Sequence, residues 1–252
     1  MLKEYLKRIS YSGKLSPSPE VLTEIHRLHL LSIPFENLDI HLHKKLILDK
    51  DHLVKKILIQ NRGGYCYELN GMFYLLLKEI GFKVKMISAR VSDGKGGWGP
   101  EFDHMALIVE FENGKKNYLA DVGFGDNFIS PLLFETGKIQ RDDAGFFKIT
   151  KEDNDEFILK NSADGIEFRD GYKFTAAGRR WKDFEEMNEY QQTSENSHFT
   201  KNRVCSIATA KGRISLSSSK LTLTESFEKK ITEINGDKDF DRYLSEYFQI
   251  KL

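Results

Sequence analysis

Three residues could together do nucleophilic chemistry. Cys66 stands in Arg62-Gly-Gly-Tyr-Cys-Tyr-Glu-Leu-Asn70, just where an apolar stripe with helical spacing begins. A thiol at a helix start feels the positive end of the helix dipole, which favours thiolate. Gly63 and Gly64 let the backbone bend tightly and a substrate approach. The same position also suits a small buried hydrophobe, which is how a free Cys usually behaves. His104 and Asp121 lie on either side of Asn113-Gly114, a hairpin-turn dipeptide flanked by strand formers. If those two residues make the turn, Glu112 opposes Lys115, His104 opposes Gly123, and Asp121 opposes Ala106. Side chains alternate with period two, so His104 and Asp121 then share a face as diagonal neighbours. A three-residue loop would put them on opposite faces. Taken singly, His104 also reads as a satisfied core histidine and Asp121 as a strand-end turn former. Taken with Cys66 they make a nucleophile, its base and an acid to orient the base. That set points to acyl transfer or hydrolysis through a thioester.

These residues need elements to hold them. Ser18-Pro19 reads as an N-cap followed by Pro at the first helical position, and Val21, Leu22, Ile25 and Leu28 continue with helical spacing. A second helix is expected from near Asp51, carrying Leu53, Val54, Ile57 and Leu58 and ending before Gly63. Leu69, Met72, Phe73, Leu76, Leu77 and Ile80 mark a third, closed by Gly81. From Lys83 to about Phe174 strand signals dominate, at Val84–Ser88, His104–Phe111, Lys116–Val122, Phe146–Thr150 and Phe157–Leu159. Asp170-Gly171 reads as a second hairpin turn. So many short strands suggest a small barrel or sandwich. A short helix near Phe184–Tyr190, strand-like runs at Val204–Ala208 and Ile214–Leu223, and a final helix burying Phe240, Tyr243, Leu244, Tyr247 and Phe248 complete the chain.

The chain has 252 residues, enough for one globular unit or a few packed subdomains. Its 38 Lys+Arg balance 38 Asp+Glu, so no overall field favours nucleic acid or an acidic membrane. Two cysteines are too few for a disulfide framework, and no CxxC exists for a structural zinc. The charged N-terminus lacks a secretory h-region, and no apolar run nears about 18 residues. A cytoplasmic protein without a metal is expected.

Other features are read as structural. His26 and His29 share a helix face without an HExxH pattern, so packing is expected rather than metal binding. His41 and His43 sit in an alternating stretch, expected to be a strand with one face in solvent. The Gly94–Gly99 loop lacks the ending of a phosphate-binding P-loop, although it is flexible and could border a site. Cys205 reads as an inward strand residue.

The sequence resembles the arylamine N-acetyltransferases. Ser32-Ile-Pro-Phe-Glu-Asn-Leu38 is similar to the family's N-terminal motif, and Arg62 to Asn70 to its nucleophile motif. His104-Met-Ala-Leu, Asp121-Val-Gly-Phe-Gly125 and Gln192-Thr-Ser-Glu-Asn-Ser-His-Phe199 resemble later segments, in unbroken order from about residue 5 to the C-terminus. The resemblance implies an α+β fold with a thiol-protease or transglutaminase-like core. It has a helical domain (1–84) carrying the nucleophile, a β-barrel domain (85–190) carrying His and Asp, and an α/β lid (191–252). It implies a triad of Cys66, His104 and Asp121, with Phe35, Phe124 and Phe199 bordering the substrate pocket; plain core packing is the alternative for the three rings. It further implies a buried ion pair between Glu36 and Arg62.

The implied reaction moves an acetyl group from acetyl-CoA, a co-substrate, through a cysteine thioester to arylamines, arylhydrazines or N-arylhydroxylamines by a ping-pong mechanism. A role in xenobiotic metabolism goes with it. The longer C-terminal extension of vertebrate relatives is missing, which leaves the coenzyme A phosphate contacts open. Lys201, Arg203, Lys211 and Arg213 are candidates by charge alone. The competing expectations are a thiol hydrolase or transglutaminase-like enzyme with the same triad, and a binding module on a degenerate enzyme fold.

Overall fold

The computed structural model describes residues 1–226 and 228–252, the side chain of residue 113 apart. The chain opens with α1 (Leu2–Arg8) and α2 (Pro19–Ser32). Ser18 Oγ accepts the Val21 N–H at 3.4 Å, with Pro19 at the first helical position. A two-residue strand, β1 (Phe35–Glu36), and a short helix, α3 (Leu38–His41), follow. His41 and His43 therefore lie on a helical turn, not on the expected strand. The chain reverses there because the Asp39 carbonyl accepts the Leu42 and Lys44 N–H groups, and His43 takes φ +55°. Asp49 caps α4 (Lys50–Leu53) through the His52 N–H at 2.9 Å. The helix then widens into a π-helical stretch, Val54–Ile59, which buries Lys56 beside Ile57 and Leu58. The main helix of this region is α5 (Cys66–Ile80), stopped by Gly81 in the left-handed conformation at φ +103°.

The strands come next: β2 (Lys83–Val91), β3 (His104–Phe111), β4 (Lys116–Ala120), β5 (Leu132–Leu133), β6 (Gln140–Asp142), β7 (Gly145–Lys151), β8 (Glu156–Ser162) and β9 (Arg169–Thr175). They form one antiparallel sheet in the order β5-β4-β3-β2-β9-β8-β7-β6. A bridge from Thr136 to Ile149 ties the chain after β5 to β7, so the sheet curls into a nearly closed barrel. Alternation along β3 splits it between two cores. Met105, Leu107 and Val109 pack with the helices, whereas Ala106 and Ile108 pack with Phe128, Phe147 and Leu159 inside the barrel.

Two turn expectations are corrected here. The β3–β4 connection is not a two-residue turn but a 3₁₀ turn over Glu112–Gly114, with Phe111 paired to Lys116. Asp170-Gly171 is no turn at all: both residues lie inside β9, opposite the β8 irregularity between Leu159 and Lys160. The real turn precedes it, where Asp164 Oδ1 accepts the Ile166 N–H at 2.8 Å and Gly165 takes φ +78°.

A 3₁₀ turn (Trp181–Phe184) leads into α6 (Glu185–Thr193) and α7 (His198–Lys201). The last strands are β10 (Val204–Thr209), β11 (Gly212–Ser217), β12 (Lys220–Glu225) and β13 (Glu228–Glu233), followed by α8 (Asp237–Phe248). The run Ile214–Leu223, expected as one strand, is two, because Ser217 Oγ accepts the Lys220 N–H and turns the chain. The sheet order is β1-β10-β11-β12-β13, so Phe35 and Glu36 pair with Ser206 and Cys205 from the far end of the chain. Phe240, Leu244 and Phe248 of α8 cover this sheet together with Cys205, Leu216 and Leu221. The fold is α+β.

Two wholly buried histidines on α2 make the fold acid-sensitive. Burial pushes His26 down to about 4, against the opposing pull of the Ile129 carbonyl and of the Asp121 and Asp142 charges. Burial likewise pushes His29 well below its ordinary value. A folded-state pKa below the unfolded one gives a contribution that is complete above about pH 6.5 and is lost as the pH falls toward the folded value. His26 alone should remove about 3 kcal/mol between about pH 6.5 and 4. Urea unfolding at several pH values checks this; a flat free energy from neutral pH down to about 5 would contradict it.

Candidate active site

Cys66 is the first residue of α5 and only 3% exposed. The preceding loop is braced from both sides. The Gly64 N–H donates to the Pro34 carbonyl at 3.3 Å, and the Glu36 N–H donates to the Gly64 carbonyl at 2.8 Å. Gly63 lies so close to Pro34 that a Cβ there would sit 1.9 Å from its carbonyl oxygen, so no larger residue fits. On the helix side, Glu68 Oε2 accepts the Tyr65 N–H at 3.1 Å, half of a capping box.

A buried charge cluster supports this loop. Arg62 holds Glu36 at 2.8 Å and Asp39 at 3.1 Å. The expected Glu36–Arg62 contact is thus present but belongs to something larger. Lys56 reaches Glu68 at 2.9 Å and Asp39 at 3.1 Å. Burial raises the Glu68 carboxyl, and Lys56 pulls it back.

The structure brings His104 and Asp121 together as the strand parity requires. Leu107 pairs with Ala120. A four-residue connection keeps the parity of a two-residue turn, so both side chains still face the same way. His104 Nε2 lies 2.8 Å from Asp121 Oδ2. The other Asp121 oxygen accepts Asn70 Nδ2 at 2.9 Å and the Gly123 N–H at 3.0 Å. Burial opposes the Asp121 charge, yet His104 and these donors hold it below the ordinary carboxylate value.

Burial likewise opposes a charge on His104, but the Asp121 carboxylate and the Cys66 sulfur carry its pKa up to about 10. With Nε2 committed to Asp121, Nδ1 is the ring nitrogen left for the Cys66 thiol, whose acidity His104 increases. Burial pushes that thiol up, whereas His104 and the Met105 N–H pull it down. The imidazole thus acts on the thiol alongside the helix N-terminus at which Cys66 stands. His104 lowers the thiol and the Cys66 sulfur raises the imidazole, so the contact favours a proton on nitrogen and a charge on sulfur.

The three phenylalanines stand around this relay, each partly buried. The Phe124 ring meets His104 edge-on at 5.1 Å. Phe199 contacts Tyr65 at 5.4 Å and Phe35 at 6.2 Å. Three further groups were missed in the sequence. Asn70 links the nucleophile helix to Asp121; it lies four residues after Cys66, hence on the same helix face, and that spacing could have revealed it. Gly123 packs directly on Cys66, where a Cβ would come 2.8 Å from the Cys66 Cα. His26, set aside as packing, accepts the Asp121 N–H at 3.1 Å.

Of the four basic candidates in the last third, Arg203 is engaged by Asp237 at 2.8 Å and stacks over Phe240. Lys211 pairs with Glu225 in solvent, and Lys201 is exposed. Arg213 is held between two residues that neighbour the phenylalanines. It donates to Ser206, the partner of Phe35, at 2.9 Å and meets Asp126, two residues after Phe124, at 3.2 Å.

A buried thiol thus stands with an imidazole and a carboxylate, the last two hydrogen-bonded to each other, the groups that cysteine acyl-transfer chemistry uses. The N-acetyltransferase family model matches residues 19–252. The pineal-gland arylamine N-acetyltransferase isozyme NAT-3 of Gallus gallus is 30% identical over 275 residues, covering 100% of this chain and 94% of the relative. The arylamine N-acetyltransferase structure from M. tuberculosis superposes with a TM-score of 0.92 at 30% identity, covering 99% of this chain and 94% of that one. An arylamine N-acetyltransferase from Bacillus cereus, described as having a Cys-His-Glu catalytic triad, superposes at 0.91 with 29% identity, covering 100% of this chain and 98% of that one. The chain belongs to the arylamine N-acetyltransferase family and is an acetyltransferase.

Proposed function

We propose that the enzyme transfers an acetyl group from acetyl-CoA to arylamines, arylhydrazines or N-arylhydroxylamines, with Cys66, His104 and Asp121 as its catalytic triad. The observation that carries this reading is the buried His104–Asp121 pair, whose imidazole acts on the Cys66 thiol. Asp121 presents an acceptor to Nε2 and so leaves Nδ1 free to take the thiol proton. The sulfur then attacks the thioester carbonyl of the donor, and the Cys66 N–H, which has no carbonyl one turn earlier to bond, faces the developing oxyanion. As the carbon–sulfur bond to the coenzyme breaks, His104 returns its proton to the leaving thiolate. Acetyl-cysteine remains. One thioester has replaced another, so the exchange is close to isoenergetic.

In the second half-reaction the amine nitrogen attacks this thioester and His104 accepts the nitrogen's proton. Cys66 leaves and recovers a proton from His104. Phe35, Phe124 and Phe199 suit a flat aromatic acceptor, because Phe124 lies against the His104 ring and Phe199 against Phe35 and Tyr65, the residue before Cys66. Lys201, Arg203, Lys211 and Arg213 stay candidates by charge alone for a negative group of either substrate. The division into 1–84, 85–190 and 191–252 fits this scheme, one part presenting the thiol, one the base and acid, and one covering them. Two free, buried cysteines suit a reducing, cytoplasmic setting.

Intact-protein mass spectrometry tests the scheme directly. After mixing with acetyl-CoA and no amine, a single acetyl adduct is expected on Cys66, discharged when an arylamine is added. No adduct on a Cys66 that still reacts with a small alkylating agent would point instead to another acyl donor or to hydrolysis. Intersecting double-reciprocal lines with a ternary complex would rule out the ping-pong order.

A further inference from the structure

We propose that His26 of α2 is a positioning residue for acyl transfer, its two ring nitrogens clipping together the ends of the segment that carries Asp121 and Phe124. This rests on the assignment of Asp121 to the relay. His26 Nδ1 lies 2.8 Å from the Ile129 carbonyl oxygen, and Nε2 lies 3.1 Å from the Asp121 N–H. A carbonyl only accepts and an amide N–H only donates, so the two partners dictate a single tautomer, protonated on Nδ1.

Those partners stand at either end of residues 121–129. Between them, Asp121 meets His104, Phe124 meets the His104 ring, and Asn127 Nδ2 reaches the Asp121 carboxylate at 3.5 Å. The Ile129 N–H is held separately by Asp142 Oδ1 at 2.8 Å, so both backbone groups of Ile129 have side-chain partners. The His26 ring is itself fixed. It stacks on Phe128 at 5.7 Å and meets Phe73 of α5 edge-on at 5.7 Å. One side chain thus ties α2, the nucleophile helix and the acid-bearing segment to each other.

An apolar ring would fill the same volume but leave a buried N–H and a buried carbonyl without partners. The carboxylate contacts of Asp121 depend on where its backbone sits, and His26 holds that backbone from behind. Its charged and titratable neighbours are Asp121 and Asp142, with His29 beside it on α2; burial keeps the ring neutral among them. Nε2 then remains an acceptor throughout turnover.

His26→Phe keeps the ring stack and removes both hydrogen bonds. The expected result is a kcat lowered about tenfold, with acceptor KM changed less than about twofold. The pH profile of Cys66 alkylation by iodoacetamide is expected to shift, because His104 loses its fixed partner. His26→Gln, whose amide reaches one of the two groups, should recover part of the loss.

Asp121→Asn, measured alongside, separates the two assignments. Full activity in Asp121→Asn would remove the relay reading and this inference with it. An inactive Asp121→Asn beside a His26→Phe with wild-type kcat and alkylation profile, and only a lower Tm, would leave the relay and overturn the positioning role. If His26→Phe does not fold, nitrogen-15 NMR of histidine-labelled wild-type enzyme decides. The Nδ1–H tautomer, unchanged from about pH 5.5 to 8, supports the clip; an Nε2–H tautomer or a titration in that range overturns it.

Discussion

Asp121→Asn is expected to slow acylation of Cys66 by about three orders of magnitude in a protein that still folds. Asparagine matches the shape of the carboxylate but turns one acceptor oxygen into a donor. Asn70 Nδ2 and the Gly123 N–H both require an oxygen where Oδ1 stands. The new NH2 must therefore face His104 Nε2, which has to accept from it, and the imidazole proton moves to Nδ1. That proton then points at the sulfur it should receive one from. The base is lost through its tautomer, although every heavy atom keeps its place. Loss of the negative charge also removes the main support for the raised His104 pKa, leaving burial to depress it. Acylation followed by rapid-quench mass spectrometry, with thermal unfolding as the control for folding, measures both quantities. A rate within about tenfold of wild type would show that Asp121 does not set the tautomer.

Lys56→Met should cost about 3–5 kcal/mol of stability, the largest loss expected from any change remote from the relay. The cluster around it holds three carboxylates, Glu36, Asp39 and Glu68, against two cations, Lys56 and Arg62. All five groups are buried. Arg62 is committed to Glu36 and Asp39, so removing Lys56 leaves Glu68 without a cation. Burial already raises that carboxyl, and without Lys56 it must take a proton or open the fold. Glu68 also caps α5 at Tyr65, so the damage reaches the turn that presents Cys66. Adding Glu68→Gln should restore much of the loss, because the amide still accepts the Tyr65 N–H and the surplus charge is gone. Urea unfolding of the single and double variants is the check. A single variant within about 1 kcal/mol of wild type would mean that the cluster is solvated in solution.

Much of the site could be read before any coordinates because its geometry follows from parity. His104 and Asp121 need only an even-numbered connection, and Glu112 to Lys115 supply one although the turn type differs. The helices announced themselves by apolar spacing and by Ser18 and Gly81 at their ends. What failed was local chemistry overruled by distant partners. Asp170-Gly171 has the composition of a turn, yet β8 on one side claims it as strand. His41 and His43 alternate like a strand, but the Asp39 carbonyl captures the chain first. The Cys66 environment was legible only in part. Dipole position is visible in a sequence, whereas burial and a hydrogen bond from Met105 depend on how α5 packs on β3. His26 went unrecognised because its partners are backbone groups about a hundred residues away, which no side-chain motif encodes.

The pairing of β1 with β10 carries a consequence for how the chain acquires its structure. Phe35 and Glu36 emerge early in synthesis, but their strand partners Ser206 and Cys205 emerge near its end. The same two residues hydrogen-bond or bridge to Gly64, two residues before Cys66. The nucleophile loop therefore gains its second support only after the last third of the polypeptide has left the ribosome. Such a long loop closure is slow relative to the local contacts of α2 and α5. Until it closes, β1 lacks its partner in the sheet and the surfaces that will bury Cys205 stay open, a window in which exposed apolar surface and an unpaired strand edge invite aggregation and proteolysis.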